Sequence, residues 1–285
     1  MDRVTRPEAR NLVLVVLDSL RFDAAVAARM PVLTTLGPLQ PRWSYASWTA
    51  PSHYNLLMGL LPHTSPPRVY ASEYYKQDFL RYSERLGVPG IDFGRLLPSL
   101  YLPHFLRGTL GYYTSALVSM PVLNPATPLN WGFDRFELMP RHNDMAAMVD
   151  QLRFPPDRPA FHLLNVGETH YPYALPDDDP DEWPRLPGVH GVLREAGEGS
   201  STGGPDAGVA PFSAAQLDTL RARQIRAASY LDGVLARLFD TVPDNTWVIV
   251  TADHGELFGE DGYFGHGPIA HEKVLEVPFV EGRLR

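Results

Sequence analysis

A run of apolar β-formers that stops at an acidic or histidine residue occurs three times in this chain, and it constrains the fold more than any other feature. The first is NLVLVVLDSL, in which Leu12 to Leu17 end at Asp18; the second is AFHLLNVGE from Ala160; the third is TWVIVTADHGE from Thr246. Val and Leu fill both faces of the first run, which predicts a central parallel strand covered by helices on either side. Open α/β sheets bind ligands beyond the carboxyl ends of their strands. Three polar clusters far apart in sequence are therefore expected to converge on one edge.

The segment SAAQLDTLRARQIRAASYLDGVLARLFDTV places Leu217, Leu220, Ile225, Leu231, Leu235 and Leu238 near helical spacing, with Ser213 as the N-cap. It runs directly into the third apolar run, the order a parallel sheet requires. GYYTSALVSM at 111–120 reads as a further strand, and GFDRFEL at 132–138 as the turn and edge segment after it. The expected class is α/β, a mostly parallel central sheet with helices on both faces, in one domain over 1–285. LPDDDPDEWPRLPG and REAGEGSSTGGPDAGVAP are rich in Pro, Gly, Asp and Ser, which predicts a mobile loop or lid over 175–211. There is no internal repeat and no heptad pattern.

A formal net charge of −8 argues against nucleic acid as a partner, because phosphate-backbone binding needs a basic patch. Small phosphorylated substrates stay open, since a metal and a few side chains handle their charge locally. The absence of cysteine excludes disulfides, thiolate metal sites and a cysteine nucleophile together. The apolar run before Asp18 is too short to span a membrane and has no small-residue cleavage site, so no signal or membrane span is expected and the expected location is cytoplasmic. The sequence does not give the oligomeric state.

Taken alone, Asp18 at a strand end reads more readily as a helix cap or turn residue than as a metal ligand. ADHGE at 252–256 adds a carboxylate and an imidazole from adjacent positions, Asp253 and His254, a mixed oxygen and nitrogen set suited to zinc or manganese. Gly255 is expected to let the chain turn sharply away.

Several segments in order resemble the alkaline phosphatase superfamily and, within it, the sulfatase-like hydrolases and transferases. They are LVLVVLDSLRFDA, ASWTAPSHYNLLMGLLPHTSP, LGYYTSALVSMPVLNPATPLNWGFDRFE, NVGETHYPYALP, YLDGVLARLF and VIVTADHGELFGEDGYFGHGPIAHEKVLEVPFV. The resemblance implies that Asp18, Thr49, Asp253 and His254 bind one divalent metal ion, zinc or manganese ahead of magnesium or calcium, and that Thr49, heading the helix of SWTAPSHYNLLMG, is the nucleophile. Its hydroxyl can instead be the N-cap, or both. Sulfatases carry Cys or Ser in a C/S-x-P-S-R pattern and convert it to formylglycine. Here the aligned residues are Thr49, Ala50, Pro51, Ser52 and His53, and threonine cannot become that aldehyde. Threonine in this position is similar to the phosphatase, phosphodiesterase and phosphoethanolamine- or phosphoglycerol-transferase branches.

The same resemblance implies that His170 in GETHYPY and His266 in FGHG hold the substrate oxyanion or a second metal. Glu168 is a further ligand candidate for that second metal, and His53 is expected to meet a substrate oxygen. His271 is a weaker candidate, and His63, His104, His142, His162 and His190 carry no pattern. The function implied is hydrolysis of a phosphoric ester or phosphonate of a small molecule through a phospho-threonine. The alternatives are transfer to an alcohol acceptor or a mutase, a non-catalytic anion-binding descendant, and a sulfate-ester hydrolase. Sulfatase relatives usually continue into a C-terminal subdomain. This chain ends at Arg285, shortly after VPFV, so that subdomain is expected to be missing and the site to be open or closed by a cap insert at 64–108.

Overall fold

The computed structural model describes residues 10–59, 101–182, 184, 193–194, 213–267 and 269–284. The strands are β1 (Asn11–Leu17), β2 (Gln40–Trp43), β3 (Tyr113–Val118), β4 (Arg135–Leu138), β5 (Ala160–Val166), β6 (Leu193–Arg194), β7 (Thr246–Thr251), β8 (Leu257–Phe258), β9 (Tyr263–Gly265) and β10 (Glu276–Arg283). The helices are α1 (Phe22–Ala27), α2 (Pro31–Leu36), α3 (Thr49–Met58), α4 (Leu102–Leu110), α5 (Met145–Asp150), α6 (Ala214–Thr241) and α7 (Glu272–Leu275).

Seven strands form one sheet in the order β2-β10-β7-β1-β5-β3-β4, and β6, β9 and β8 form a small second sheet. β1 pairs in parallel with β5 and with β7, and β3 pairs in parallel with β5 and β4. β10 is antiparallel to both β7 and β2. The main sheet is thus mostly parallel, as the uniformly apolar runs predict. The segment 132–138, expected as turn and edge, supplies the edge strand β4.

Alternation along β1 explains its double burial. Val13, Val15 and Leu17 join Leu164, Val166, Val248 and Val250 on one face, against Ala228, Leu231, Leu235 and Leu238 of α6. Leu14 and Val16 join Ala116, Val118, Phe161 and Leu163 on the other face, with Leu57 of α3 and Leu106 of α4. Each fully buried leucine contributes roughly 1.5–3 kcal/mol by leaving water.

Ser213 caps α6 in a reciprocal box, its Oγ accepting from Gln216 N while the Gln216 side chain accepts from Ser213 N. Further along α6, buried Asp232 accepts from the N–H groups of Val32 and Leu33 at 2.9 and 2.8 Å, which docks the first turn of α2. Most of the proposed 64–108 insert lies outside the described residues, which pick it up again at Tyr101 and include α4. The 175–211 segment is described only at 175–182, 184 and 193–194.

Candidate active site

β1 lies between β5 and β7, so the residues just past their carboxyl ends must be neighbours. Leu17 is in register with Val166, and Val16 with Thr251. Asp18 N–H continues the ladder to the Val166 carbonyl at 2.9 Å. Across the other side, Ser19 N–H donates to Asp253 Oδ1 at 3.1 Å. Asp18, Asp253 and His254 are all buried and each offers one ligand atom, with those atoms lying within 4.8 Å of one another.

α3 brings Thr49 to this cluster. Ser52, one turn along, donates its hydroxyl to the Asp253 carbonyl at 2.7 Å, and Ser44 does the same from the preceding loop. Thr49 is the first residue of α3 and Trp48 is the N-cap, which makes no side-chain cap bond. The N-cap reading of Thr49 therefore fails: its hydroxyl faces His254 Nε2 at 3.3 Å. The α3 N-terminus lies at the same point, where its free N–H groups favour an anion.

His254 is held in one orientation. Its Nδ1 donates to the Gly255 carbonyl at 2.9 Å, which leaves Nε2 with its lone pair 3.8 Å from Asp18 Oδ1 and 3.4 Å from Asp253 Oδ2. A ligating imidazole is commonly oriented in this way, its other nitrogen donating to a backbone carbonyl. Gly255 is required for a reason other than the expected sharp turn. A Cβ there would sit 2.2 Å from the Lys273 carbonyl oxygen, so a close approach of backbone, not a special dihedral angle, selects glycine.

Two polar atoms in the cluster have no hydrogen-bond partner among the described residues, Asp253 Oδ2 and His53 Nε2. Burial and the Asp18 charge push the Asp253 carboxyl well above the ordinary carboxylate range. Burial also opposes ionisation of Asp18, but the electrostatic influence of the neighbouring His170 and His254 and the hydrogen bond from Asn165 prevail and hold it below its usual value. Burial, reinforced by His266, drives His254 well below the usual imidazole value, with Asp18 only partly opposing. Two buried carboxylates and a neutral imidazole with a free lone pair want a cation. The donor chemistry fits a divalent metal, with Asp18, Asp253, His254 and Thr49 as the residues that would hold it.

His170 and His266 line the same pocket. The His266 ring centroid is 4.2 Å from that of His254 and 5.3 Å from that of His170. His170 donates Nδ1–H to the Tyr171 carbonyl at 2.8 Å, and His266 Nδ1 lies 3.0 Å from Glu256 Oε1. His53 is buried beneath Thr49, its Nδ1 donating to the Thr49 carbonyl at 2.8 Å and lying 3.7 Å from Asp253 Oδ2. Burial lowers its pKa, with the Asp18 charge acting the other way.

Glu168 and His271 are not drawn into the acidic cluster. Glu168 is buried with Oε1 accepting from Met145 N–H at 2.8 Å, at the start of α5. His271 caps α7, its Nδ1 accepting from Lys273 N–H at 3.0 Å, with Nε2 3.7 Å from Asp261. The sequence reading missed Asn165 and Glu256. Asn165, fully buried near the end of β5, donates to Asp18 Oδ2 at 2.8 Å. Its signal was a lone amide inside an apolar strand, since a buried amide needs partners.

A family model described as Sulfatase matches residues 10–280. No curated protein sequence matches the chain. Among solved structures, the fold is similar to the C-terminal periplasmic domain of EcEptC from Escherichia coli in complex with Zn. That match has 15% identity and a TM-score of 0.57, covering 100% of this chain and 75% of that one. It is also similar to the C-terminal periplasmic domain of phosphoethanolamine transferase EptC from Campylobacter jejuni, at 13% identity and a TM-score of 0.53, covering 95% and 78%. A third similarity is to the phosphonate monoester hydrolase of Agrobacterium radiobacter, at 16% identity and a TM-score of 0.54, covering 96% and 68%. Two of these neighbours are periplasmic domains, so the cytoplasmic expectation draws no support from them. Among the described residues, no helix is long and apolar enough to cross a membrane.

Proposed function

Because this chain belongs to the sulfatase family, we propose that it is a metal-dependent hydrolase of a phosphoric ester or phosphonate, working through a covalent intermediate on Thr49. The observation that carries this reading is the position of the Thr49 hydroxyl, 3.3 Å from His254 Nε2 beside two buried carboxylates, on the first turn of α3. A family name alone would favour sulfate esters. The residue in the formylglycine position is threonine and the chain has no cysteine, which favours phosphorus as the centre attacked.

Asp18, Asp253, His254 and Thr49 would hold a zinc or manganese ion, which would supply a Lewis acid to lower the pKa of the threonine hydroxyl. Thr49 Oγ attacks phosphorus, forming the O–P bond as the bond to the leaving alcohol breaks, and the threonine proton goes to the alcohol. Water then attacks the phospho-threonine and returns a proton to Thr49 Oγ as the phosphate departs. His170 and His266 grip the nonbridging oxygens, and His53 holds the threonine carbonyl and so the turn that carries the nucleophile. Preorganised donors of this kind act in a pocket already shielded from water, where they do not have to reorient as charge develops.

The test is metal analysis of the purified protein together with turnover of p-nitrophenyl phosphate, bis-p-nitrophenyl phosphate, a phenylphosphonate ester and p-nitrophenyl sulfate, before and after chelation. The expected result is chelator-sensitive turnover of a phosphorus ester. Thr49→Ala should reduce it by at least about a thousandfold, because the covalent route is removed. Faster turnover of the sulfate ester under the same conditions would overturn the reading. Bound metal with no turnover of any ester would favour transfer to an alcohol acceptor, the reaction class named for the Campylobacter jejuni neighbour.

A further inference from the structure

We propose that Glu256 is the positioning residue for His266, fixing which ring nitrogen faces the transferred group, and that Tyr173 holds Glu256 for that task. Three histidines line the pocket, and each has Nδ1 tied to an acceptor. For His254 and His170 the acceptor is a neighbouring backbone carbonyl, Gly255 and Tyr171 respectively. For His266 it is a side chain, Glu256, brought from ten residues away at 3.0 Å.

Glu256 has no freedom to do otherwise. It is 2% exposed, and its second oxygen, Oε2, accepts from the Tyr173 hydroxyl. Its backbone carbonyl accepts from Arg21 Nη1 at 3.2 Å. Arg21 is itself buried and held by Asp23 and Glu260. A carboxylate oxygen can only accept, so Nδ1 of His266 carries a hydrogen and Nε2 is the nitrogen left for the pocket. Against burial, the Glu256 hydrogen bond and charge raise the His266 pKa, which favours the ring that also carries Nε2–H and can donate to a nonbridging oxygen.

The same bonds set the spacing of the pocket histidines. Tyr173 lies three residues after His170, and Glu256 two residues after His254, so the Tyr173–Glu256 bond ties the two histidine-bearing segments together. The 5.3 Å separation of the His170 and His266 rings is thereby fixed by groups that do not themselves touch the reacting atoms. The inference rests on the reading of His170 and His266 as the histidines that grip the transferred group.

The test reads the ring nitrogen directly. In metal-free protein labelled with ¹⁵N-histidine, at a pH high enough to keep the ring neutral, long-range proton–nitrogen spectra, assigned through His266→Gln, should give His266 the Nδ1–H pattern. Glu256→Leu should move it to the Nε2–H pattern, while Glu256→Gln, which keeps an acceptor oxygen, should retain Nδ1–H. An Nε2–H pattern in the unmodified protein, or an Nδ1–H pattern that survives Glu256→Leu, would overturn the proposal. If Glu256→Leu does not fold, Tyr173→Phe takes its place. There the Nδ1–H signal should weaken or broaden as Glu256 loses its tether, and an unchanged signal overturns the role given to Tyr173.

A second readout separates positioning from ligation. Zinc titration of Glu256→Gln should give an affinity within about threefold of the unmodified protein, and a tenfold loss would make Glu256 part of the metal site and overturn the proposal. With zinc loaded and p-nitrophenyl phosphate as probe, Glu256→Leu should lower kcat by about 10–100-fold with little change in KM, the scale typical of outer-shell partners. Absence of turnover in the unmodified protein would sink the hydrolase reading alone, because the nitrogen spectra require no substrate.

Discussion

Asn165 donates its side-chain amide to Asp18 Oδ2 at 2.8 Å while its own Oδ1 accepts from the backbone N–H groups of Ser119 and Met120, at 3.1 Å each. One buried amide thus joins the ends of β1, β3 and β5 and aims the carboxylate proposed to hold the metal. Asn165→Ala would take the acceptor from the Met120 N–H and free Asp18, while the Ser119 N–H keeps the Asn165 backbone carbonyl at 3.0 Å. The expected loss is about 3 kcal/mol of stability with about tenfold weaker zinc binding, read by urea denaturation and by zinc titration of the folded variant.

Metal should stabilise the fold as well as activate Thr49. Asp18 and Asp253 are both buried and Asp253 Oδ2 has no hydrogen-bond partner among the described residues, so burial and the Asp18 charge keep the metal-free Asp253 carboxyl well above its usual range, a penalty that a bound cation would relieve. Zinc at about a hundred times its Kd should add about 2.7 kcal/mol to the unfolding free energy. Thermal melts with and without chelator check this, and equal melting temperatures would exclude a built metal site. An Asp253→Asn variant should be more stable than the parent protein when both are metal-free and should gain much less from zinc.

His162 gives the protein an acid-side weakness. Burial lowers its pKa to about 4, with the Arg153 carbonyl, 2.9 Å from Nε2, acting the other way. In the unfolded chain it titrates near 6.5. Between those values the unfolded state binds the extra proton, so stability is complete above about pH 6.5 and falls as the pH drops toward 4. The loss is about 3 kcal/mol. His162→Gln, which keeps a donor for Arg153, should flatten that part of the pH–stability curve.

Glu168 works in the opposite direction. Burial raises its pKa to about 7, with the Met145 N–H only partly opposing. The folded state therefore keeps a proton that the unfolded chain releases near 4.5. This contribution is fully present below pH 4.5 and is lost as the pH rises through 7, by about 3 kcal/mol. Glu168→Gln, still able to accept from Met145, should be more stable than the parent at pH 8 and similar to it at pH 4. Urea midpoints at the two pH values decide the matter.

Much of the architecture was legible because each central strand declares itself twice, by apolar residues on both faces and by a polar residue at its carboxyl end. Asp18, Asp253 and His254 could be placed together for that reason, and Ser213 marked the start of α6. Asn165 and Glu256 were not legible, because their roles depend on partners 147 and 83 residues away, Asp18 and Tyr173. Glu168 sits beside the pocket in sequence, but its carboxylate serves the first turn of α5. A strand end fixes where a residue is, while the direction of its side chain is decided by the layer packed against it.

The placement of β1 between β5 and β7 also orders events in time. Ser19 N–H meets Asp253 Oδ1 across 234 positions of sequence, and contacts of such range form late because their loop-closure cost comes first. A nascent chain that has emerged only as far as β5 already carries Asp18 and Thr49, yet it has nowhere to bind an ion. The pocket is complete only with the last parallel pairing, so capture of the proposed metal there would work as a completeness check on the finished sheet and would spare partly made chains a premature Lewis acid.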